Sequence, residues 1–186
     1  AWITRANAGF DFKLPVTGMH SFDGGYGAAG SSYSKFPKIN NFIEQNAKLG
    51  YIYKGPMGLS GRLSDTFLFT RDPAFSEQTG ERQQRWQNGI DAALNYSPEG
   101  GRLVFGVTGN HTAHKYTGSD QAPLLNRYEQ MVGAKAGYKI QPKTTVWLGY
   151  RRGIVHYTAD GRNAANTASI ISGDKNNKSH YFEGIV

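Results

Sequence analysis

Polar and apolar residues alternate along most of the chain, and the alternation restarts at short proline-containing turns. Side chains on a strand point to opposite faces in turn, so the two parities can be read apart. Near the start, Ala6, Ala8, Phe10, Phe12 and Leu14 share one face, and Arg5, Asn7, Gly9, Asp11 and Lys13 the other. The same split recurs with Ala47, Leu49, Tyr51 and Tyr53 against Asn46, Lys48 and Gly50, and with Leu59 and Leu63 against Ser60, Arg62, Ser64 and Thr66. It recurs again with Trp86, Ile90, Ala92, Leu94 and Tyr96 against Gln87, Gly89, Asp91, Ala93 and Asn95. Leu103, Phe105 and Val107 oppose Arg102, Gly106, Thr108 and Asn110, although Val104 interrupts the polar side. Val132, Ala134, Ala136, Tyr138 and Ile140 oppose Gly133, Lys135, Gly137 and Lys139; Val146, Leu148, Tyr150 and Ile154 oppose Thr145, Gly149, Arg151 and Gly153. This is a chain of strands.

The turns themselves are periodic. Pro15, Pro56, Pro98 and Pro142 stand 41, 42 and 44 residues apart, each inside a short turn signal. Between them lie longer polar stretches: 34–41, 71–85, 117–127 and 160–179. Internal periods of this size identify a repeated unit, here short turn, strand, long loop, strand. Outer-membrane barrels pair short periplasmic turns with longer extracellular loops in this way. A soluble sandwich also gives regular strands, but without such consistent alternation of loop length. The expected fold is all-β: a transmembrane antiparallel up-and-down β-barrel, partial, with about nine strands in this chain. Residues 1–186 read as a single barrel segment. Both ends fall inside strand patterns without a secretory signal, so the expectation is a segment of a longer barrel chain.

Composition narrows the picture. Of 186 residues, 38% are hydrophobic and only 19% charged, while Gly numbers 24, Tyr 11 and Phe 10. The aromatic content argues against disorder, and no apolar run approaches the roughly 18 residues of a spanning helix. The absence of Cys removes disulfides and thiolate chemistry together.

Ring positions bear on which face meets what. Phe12, Tyr53, Tyr96 and Tyr138 lie on the apolar face two to four residues before the proline turns, and Trp2 and Trp86 lie on it at the opposite strand ends. Rings at matched heights suit the two girdles of a membrane barrel; the alternative is that they plug the ends of a soluble core. Some residues fit this face badly. Arg152 falls on it, about 19 Å above its turn at the usual rise and tilt, near the outer interface. Asn88 is near a strand end, and Asp65 shares parity with Leu63 and Phe67, which predicts either a bulge or a different register there. From Ser21 to Tyr33 the glycine and serine content leaves register weakly specified.

If the polar parity faces a lumen, its charges matter. Arg5, Lys13, Lys48, Arg62, Arg102, Lys135, Lys139 and Arg151 stand against Asp11, Asp91 and Glu129. A pore lined with one sign of charge concentrates the other, so anionic solutes or an acidic polysaccharide are the expected cargo. The selectivity candidates are Arg5, Lys13, Lys48, Arg62, Asp91, Lys135 and Arg151; the alternative is a lumen of crossing salt bridges. Glycines recur on the same parity near mid-strand, at 9, 50, 89, 106, 133 and 149, giving either curvature or clearance.

Other chemistry finds little support. His111 and His114, three apart on a strand, point to opposite faces and make a poor metal pair. No nucleophile elbow, P-loop or dinucleotide fingerprint is present. The segment 174–178 could hold a cation, but its two lysines argue against it. The formal charge of +7 is scattered over strands rather than clustered as nucleic-acid binding requires. No catalytic residue, metal or cofactor is expected.

Several segments resemble a known family. Ala1-Trp2-Ile3-Thr4 leading to Ala8-Gly9-Phe10-Asp11-Phe12, then 89–96 (Gly-Ile-Asp-Ala-Ala-Leu-Asn-Tyr), Arg127-Tyr128-Glu129, 137–145, Leu148-Gly149-Tyr150-Arg151, and the closing Ser179-His180-Tyr181 and Phe182-Glu183-Gly184 are similar to the outer-membrane β-barrel porin family associated with polysaccharide-export loci. The resemblance implies residence in the outer membrane of a Gram-negative-type bacterium, contact with the lipid bilayer, and passage of polysaccharide. Other outer-membrane or periplasmic subunits are expected partners. Two other functions fit the same pattern: a structural barrel that sleeves or anchors a partner protein, and an outer-membrane barrel hydrolase.

Overall fold

The computed structural model describes residues 2–35, 41–70, 84–117, 125–141, 143–158 and 176–185. Among the described residues are nine strands: β1 (Ile3–Pro15), β2 (His20–Tyr33), β3 (Phe42–Lys54), β4 (Leu59–Thr70), β5 (Gln84–Tyr96), β6 (Leu103–Thr117), β7 (Arg127–Gln141), β8 (Thr144–Tyr157) and β9 (Asn177–Ile185). Each pairs antiparallel with its sequence neighbours, in the order β1 to β9, as a single up-and-down sheet. Among the described residues β1 and β9 are not paired with one another, so the sheet is open.

Local chemistry explains the short turns. At the β1–β2 turn the Thr17 hydroxyl accepts from the backbone N–H groups of Met19 (3.2 Å) and His20 (3.1 Å). At β3–β4 a single 3-10 turn, Pro56–Gly58, places Met57 at φ 57° and Gly58 at φ 80°. Gly58 has no alternative, because a Cβ would enter the Ser97 carbonyl of the neighbouring turn. The Gly58 carbonyl meanwhile accepts from Ser97 N–H at 2.9 Å, stitching the two turns together.

The opposite ends share another device. Asn41, Asn126 and Asn176 each stand immediately before a strand, and their side-chain oxygens accept the backbone N–H of Tyr33, Tyr116 and Tyr157 at 2.8, 2.7 and 2.9 Å. An asparagine side chain thus ties off the preceding strand where the backbone ladder ends. The interiors of the long polar segments, 36–40, 71–83, 118–124 and 159–175, lie outside the described residues, as do Pro142 and residues 174 and 175 of the weighed cation loop.

The register carries the sequence pattern across the whole sheet. One rung runs Phe12–Gly24–Leu49–Asp65–Ile90–His111–Gln130–Ile154–Lys178. Because partners in a rung share a face, the apolar parities of all nine strands lie on one side and the polar parities on the other. The bulge predicted at Asp65 is absent: β3–β4 and β4–β5 pair without interruption there, and the irregularity recorded is at Lys139/Gln141 in β7–β8. The glycine-rich β2 is likewise in continuous register with both neighbours, because the flanking strands supply what its own pattern lacks.

Among the described residues no second layer packs on the sheet. The buried hydrophobic residues among those described are Val104 and Tyr116, and no large side chain is fully enclosed. Phe10 is 63% exposed and Leu148 72%, with Leu49 and Leu94 also open on the same face. Among the buried described residues only Gly24 lies on the apolar side; Ser31, Gly50, Val104, His114, Tyr116 and Gly133 are among those on the polar side. Of the two faces, the polar one is therefore the more crowded.

Candidate functional site

The polar face is a continuous surface of charges laid over small residues. Lys48 on β3 reaches across β2 to Asp11 on β1, Nζ to Oδ1 2.7 Å. The bridge passes above Gly25, the rung residue between them, where a Cβ would collide with the Asp11 carboxylate. Glycine here provides clearance, which answers one of the two roles its mid-strand use suggested. Gly50 lies in the same way beneath the Asp23 carboxylate. Arg5 and Glu44 also pair across β2, at 3.7 Å, and Arg151 pairs with Glu183 on β9.

These pairs divide the expected selectivity residues into two groups. Arg5, Lys48 and Arg151 are held by carboxylates, two of which, Glu44 and Glu183, the sequence reading had left out. Asp91 accepts from Asn110 Nδ2 at 2.7 Å. Lys135 sits 4.8 Å above the Trp147 ring. Lys13 and Arg62 make no ion pair among the described residues. Crossing salt bridges and surplus positive charge therefore coexist. Counted along the nine strands, the polar face carries ten Lys and Arg against six Asp and Glu. Arg102 and Lys139 serve the turn end instead: Arg102 Nη1 donates to the Tyr138 hydroxyl at 3.2 Å and Lys139 Nζ to Ser97 Oγ at 3.0 Å.

The six girdle candidates all occupy the apolar face. Phe12, Tyr53, Tyr96 and Tyr138 line its short-turn end, with Tyr96 opposite Phe105. Trp86 pairs with Phe69 at the other end and has Lys115 Nζ 5.8 Å from its ring; Trp2 continues the apolar parity of β1 and is 72% exposed. The sequence reading missed part of the turn-end row. His20 Nδ1 bonds the Tyr51 hydroxyl at 2.7 Å, and the Phe22 and Tyr51 rings lie 5.1 Å apart. Parity alone would have found His20 and Phe22 once β2 was placed in register with β3.

Two polar features stand apart. On the apolar face, Asn88 Nδ2 donates to Asp65 Oδ1 at 2.6 Å. His111 and Gln130 bond across β6–β7, and Tyr150 and His180 across β8–β9, where Arg152 also lies. On the polar face, at the long-loop end, Arg127 Nε donates to Glu129 Oε1 at 2.8 Å, and His114 Nε2 lies 3.5 Å from the same oxygen. Arg85 and Tyr116 share the next rung. No sequence motif marks this cluster, because it assembles from three strands only once the register is known. His111 and His114 do point to opposite faces, and among the described residues no three His, Asp or Glu side chains converge as metal ligands.

No protein-family model matches this chain, and no curated protein matches it in sequence. The fold is nevertheless found among solved structures: the chain superposes on the "Copper transporter OprC" with a TM-score of 0.53 at 10% identity, over 98% of its own length. The chain spans about a third of that protein, 33% of its length. At such identity the likeness is one of fold: an antiparallel up-and-down sheet of the kind found in that barrel.

Proposed function

We propose that this chain is part of the wall of an outer-membrane β-barrel, in contact with lipid on its apolar face, that conducts anionic solutes, acidic polysaccharide among them, along its polar face. The observation that carries the reading is the unbroken two-sidedness of the sheet. Across nine strands the large apolar side chains of one parity are exposed, while the other parity holds nearly all the buried described residues and an excess of cations. A soluble sheet would bury the apolar side; a membrane barrel turns it to lipid and keeps polar residues around water. The transport role of the similar solved structure supports conduction as the activity. Its copper is not carried over, since a likeness of fold at 10% identity carries no cargo with it.

Cation excess at the lumen favours anions, and Lys13 and Arg62, two of the polar-face cations that make no ion pair among the described residues, are available to a passing solute. In planar bilayers under a salt gradient, the full-length protein is expected to show an anion-selective reversal potential. Lys13→Glu with Arg62→Glu should move that potential toward the cation value. A reversal potential unmoved by the double change overturns anion selectivity, and absence of any conductance overturns the channel itself.

A further inference from the structure

At the long-loop end of the polar face, β5, β6 and β7 bring together Arg85, His114, Tyr116, Arg127 and Glu129. His114 is only 8% exposed and Tyr116 likewise. Arg127 is committed: its Nε is held by Glu129 at 2.8 Å and its Nη1 lies 3.5 Å from the Tyr116 hydroxyl. Two buried polar atoms are not. Among the described residues, Arg85 Nε and His114 Nδ1 have no hydrogen-bond partner. Buried polar atoms without partners are rare in folded proteins because each costs its full desolvation. Two in diagonal register on one face, Arg85 opposite Tyr116 and His114 opposite Gln87, define a site with something to receive.

The chemistry of the two atoms differs, and the difference selects the ligand. Arg85 Nε is a donor carrying positive charge. The proton on His114 is assigned to Nε2, the nitrogen 3.5 Å from the Glu129 carboxylate, which leaves Nδ1 as an acceptor. Charge points the same way: two guanidinium groups against the single carboxylate of Glu129 leave one positive charge over. We propose that this cluster binds a hydroxycarboxylate, the carboxylate accepting from Arg85 Nε–H and the hydroxyl donating to His114 Nδ1. Diagonal neighbours on a sheet have Cα atoms about 7–8 Å apart, a span that a single small hydroxy acid or one acidic sugar unit bridges. Arg127 and Glu129 are positioning residues, which hold the imidazole and keep its second nitrogen turned toward the ligand.

The site rests on the polar face being open to water, and it deepens the conduction reading by naming the class of solute held at the loop-side end. The test is calorimetric titration of the full-length protein in detergent with gluconate, acetate and glucose. Gluconate is expected to bind at least about tenfold more tightly than acetate, which lacks the hydroxyl, and than glucose, which lacks the carboxylate, since either leaves one buried atom unmatched. Arg85→Gln and His114→Phe should each weaken gluconate at least about tenfold, while Lys143→Gln, in the turn between β7 and β8 at the opposite end of the sheet, leaves it unchanged. Equal binding of gluconate and acetate, or an unaltered affinity in Arg85→Gln with strand circular dichroism intact, overturns the site. Conductance without gluconate binding removes the site and leaves the channel standing. Gluconate binding without conductance does the reverse.

Discussion

Asp65 shows how a residue that violates its element can still belong there. It sits on the apolar face between Leu49 and Ile90, seven residues from the Gly58 turn, which at the usual rise and tilt is about 16 Å up and, in the proposed barrel, within the lipid band. From sequence the acid predicts a bulge or a different register, since either would turn it inward. The strand instead stays regular, and Asn88 on β5 satisfies the carboxylate at 2.6 Å while also approaching the Thr66 carbonyl at 3.4 Å. A paired polar group in an apolar setting costs far less than an orphaned one. Asn88→Leu should therefore destabilise the protein by about 1–3 kcal/mol, whereas Asp65→Leu with Asn88→Leu should restore most of that loss. Urea unfolding in phospholipid vesicles, read as a double-mutant cycle, would show additive effects if the two side chains were not acting as a pair.

At the level of the element, strands differed in how much of themselves they displayed. β1, β5 and β7 are legible because apolar and polar residues alternate over most of their length, so their two faces separate without reference to any neighbour. β2 is not, because glycine, alanine and serine specify no face; its register comes from Tyr26 and Phe22 meeting Phe10, Leu14, Ala47 and Tyr51 across two neighbours. The ion pairs were illegible for a related reason. Lys48 and Asp11 are joined only after β2 has been inserted between them, and nothing local to either residue announces the glycine that lets them meet. The cluster of Arg85, His114 and Arg127 is assembled by the same kind of long-range register. What the alternation does dictate is sharply testable on a single strand. On β6, Val107 faces outward between Leu94 and Ala134, and Thr108 faces inward between Ala93 and Gly133. Val107→Arg should cost about 2–4 kcal/mol, the penalty for a cation at mid-bilayer depth. The adjacent Thr108→Arg should stay within about 0.5 kcal/mol, as for substitutions in water. Equal costs in vesicle unfolding would mean that the two faces meet the same medium.

For the whole molecule, the decisive property is that the sheet has an outside without having a core. A soluble domain of this length hides most of its large apolar side chains, yet here Phe182 is 80% exposed, and the polar side is the crowded one. In the proposed barrel such a surface meets an apolar solvent: lipid exacts no hydrophobic penalty from exposed rings while it forbids unpaired backbone, and an up-and-down sheet satisfies its backbone strand by strand. The three tryptophans report this directly, since they divide between the faces. Trp2 and Trp86 continue the apolar parity, while Trp147 lies on the polar face under Lys135. In vesicles of the full-length protein, variants retaining one of these three tryptophans should respond oppositely to two quenchers. Brominated acyl chains should quench Trp2 and Trp86 and spare Trp147; aqueous acrylamide should reach Trp147 most readily. Trp86 should also be quenched most by bromines placed near the headgroup rather than the chain ends, because its height and its cationic neighbour Lys115 assign it to the interface. Quenching of Trp147 by lipid with protection of Trp86 would invert the sheet, putting the charged rungs against acyl chains, and no passage along the polar face could survive that result.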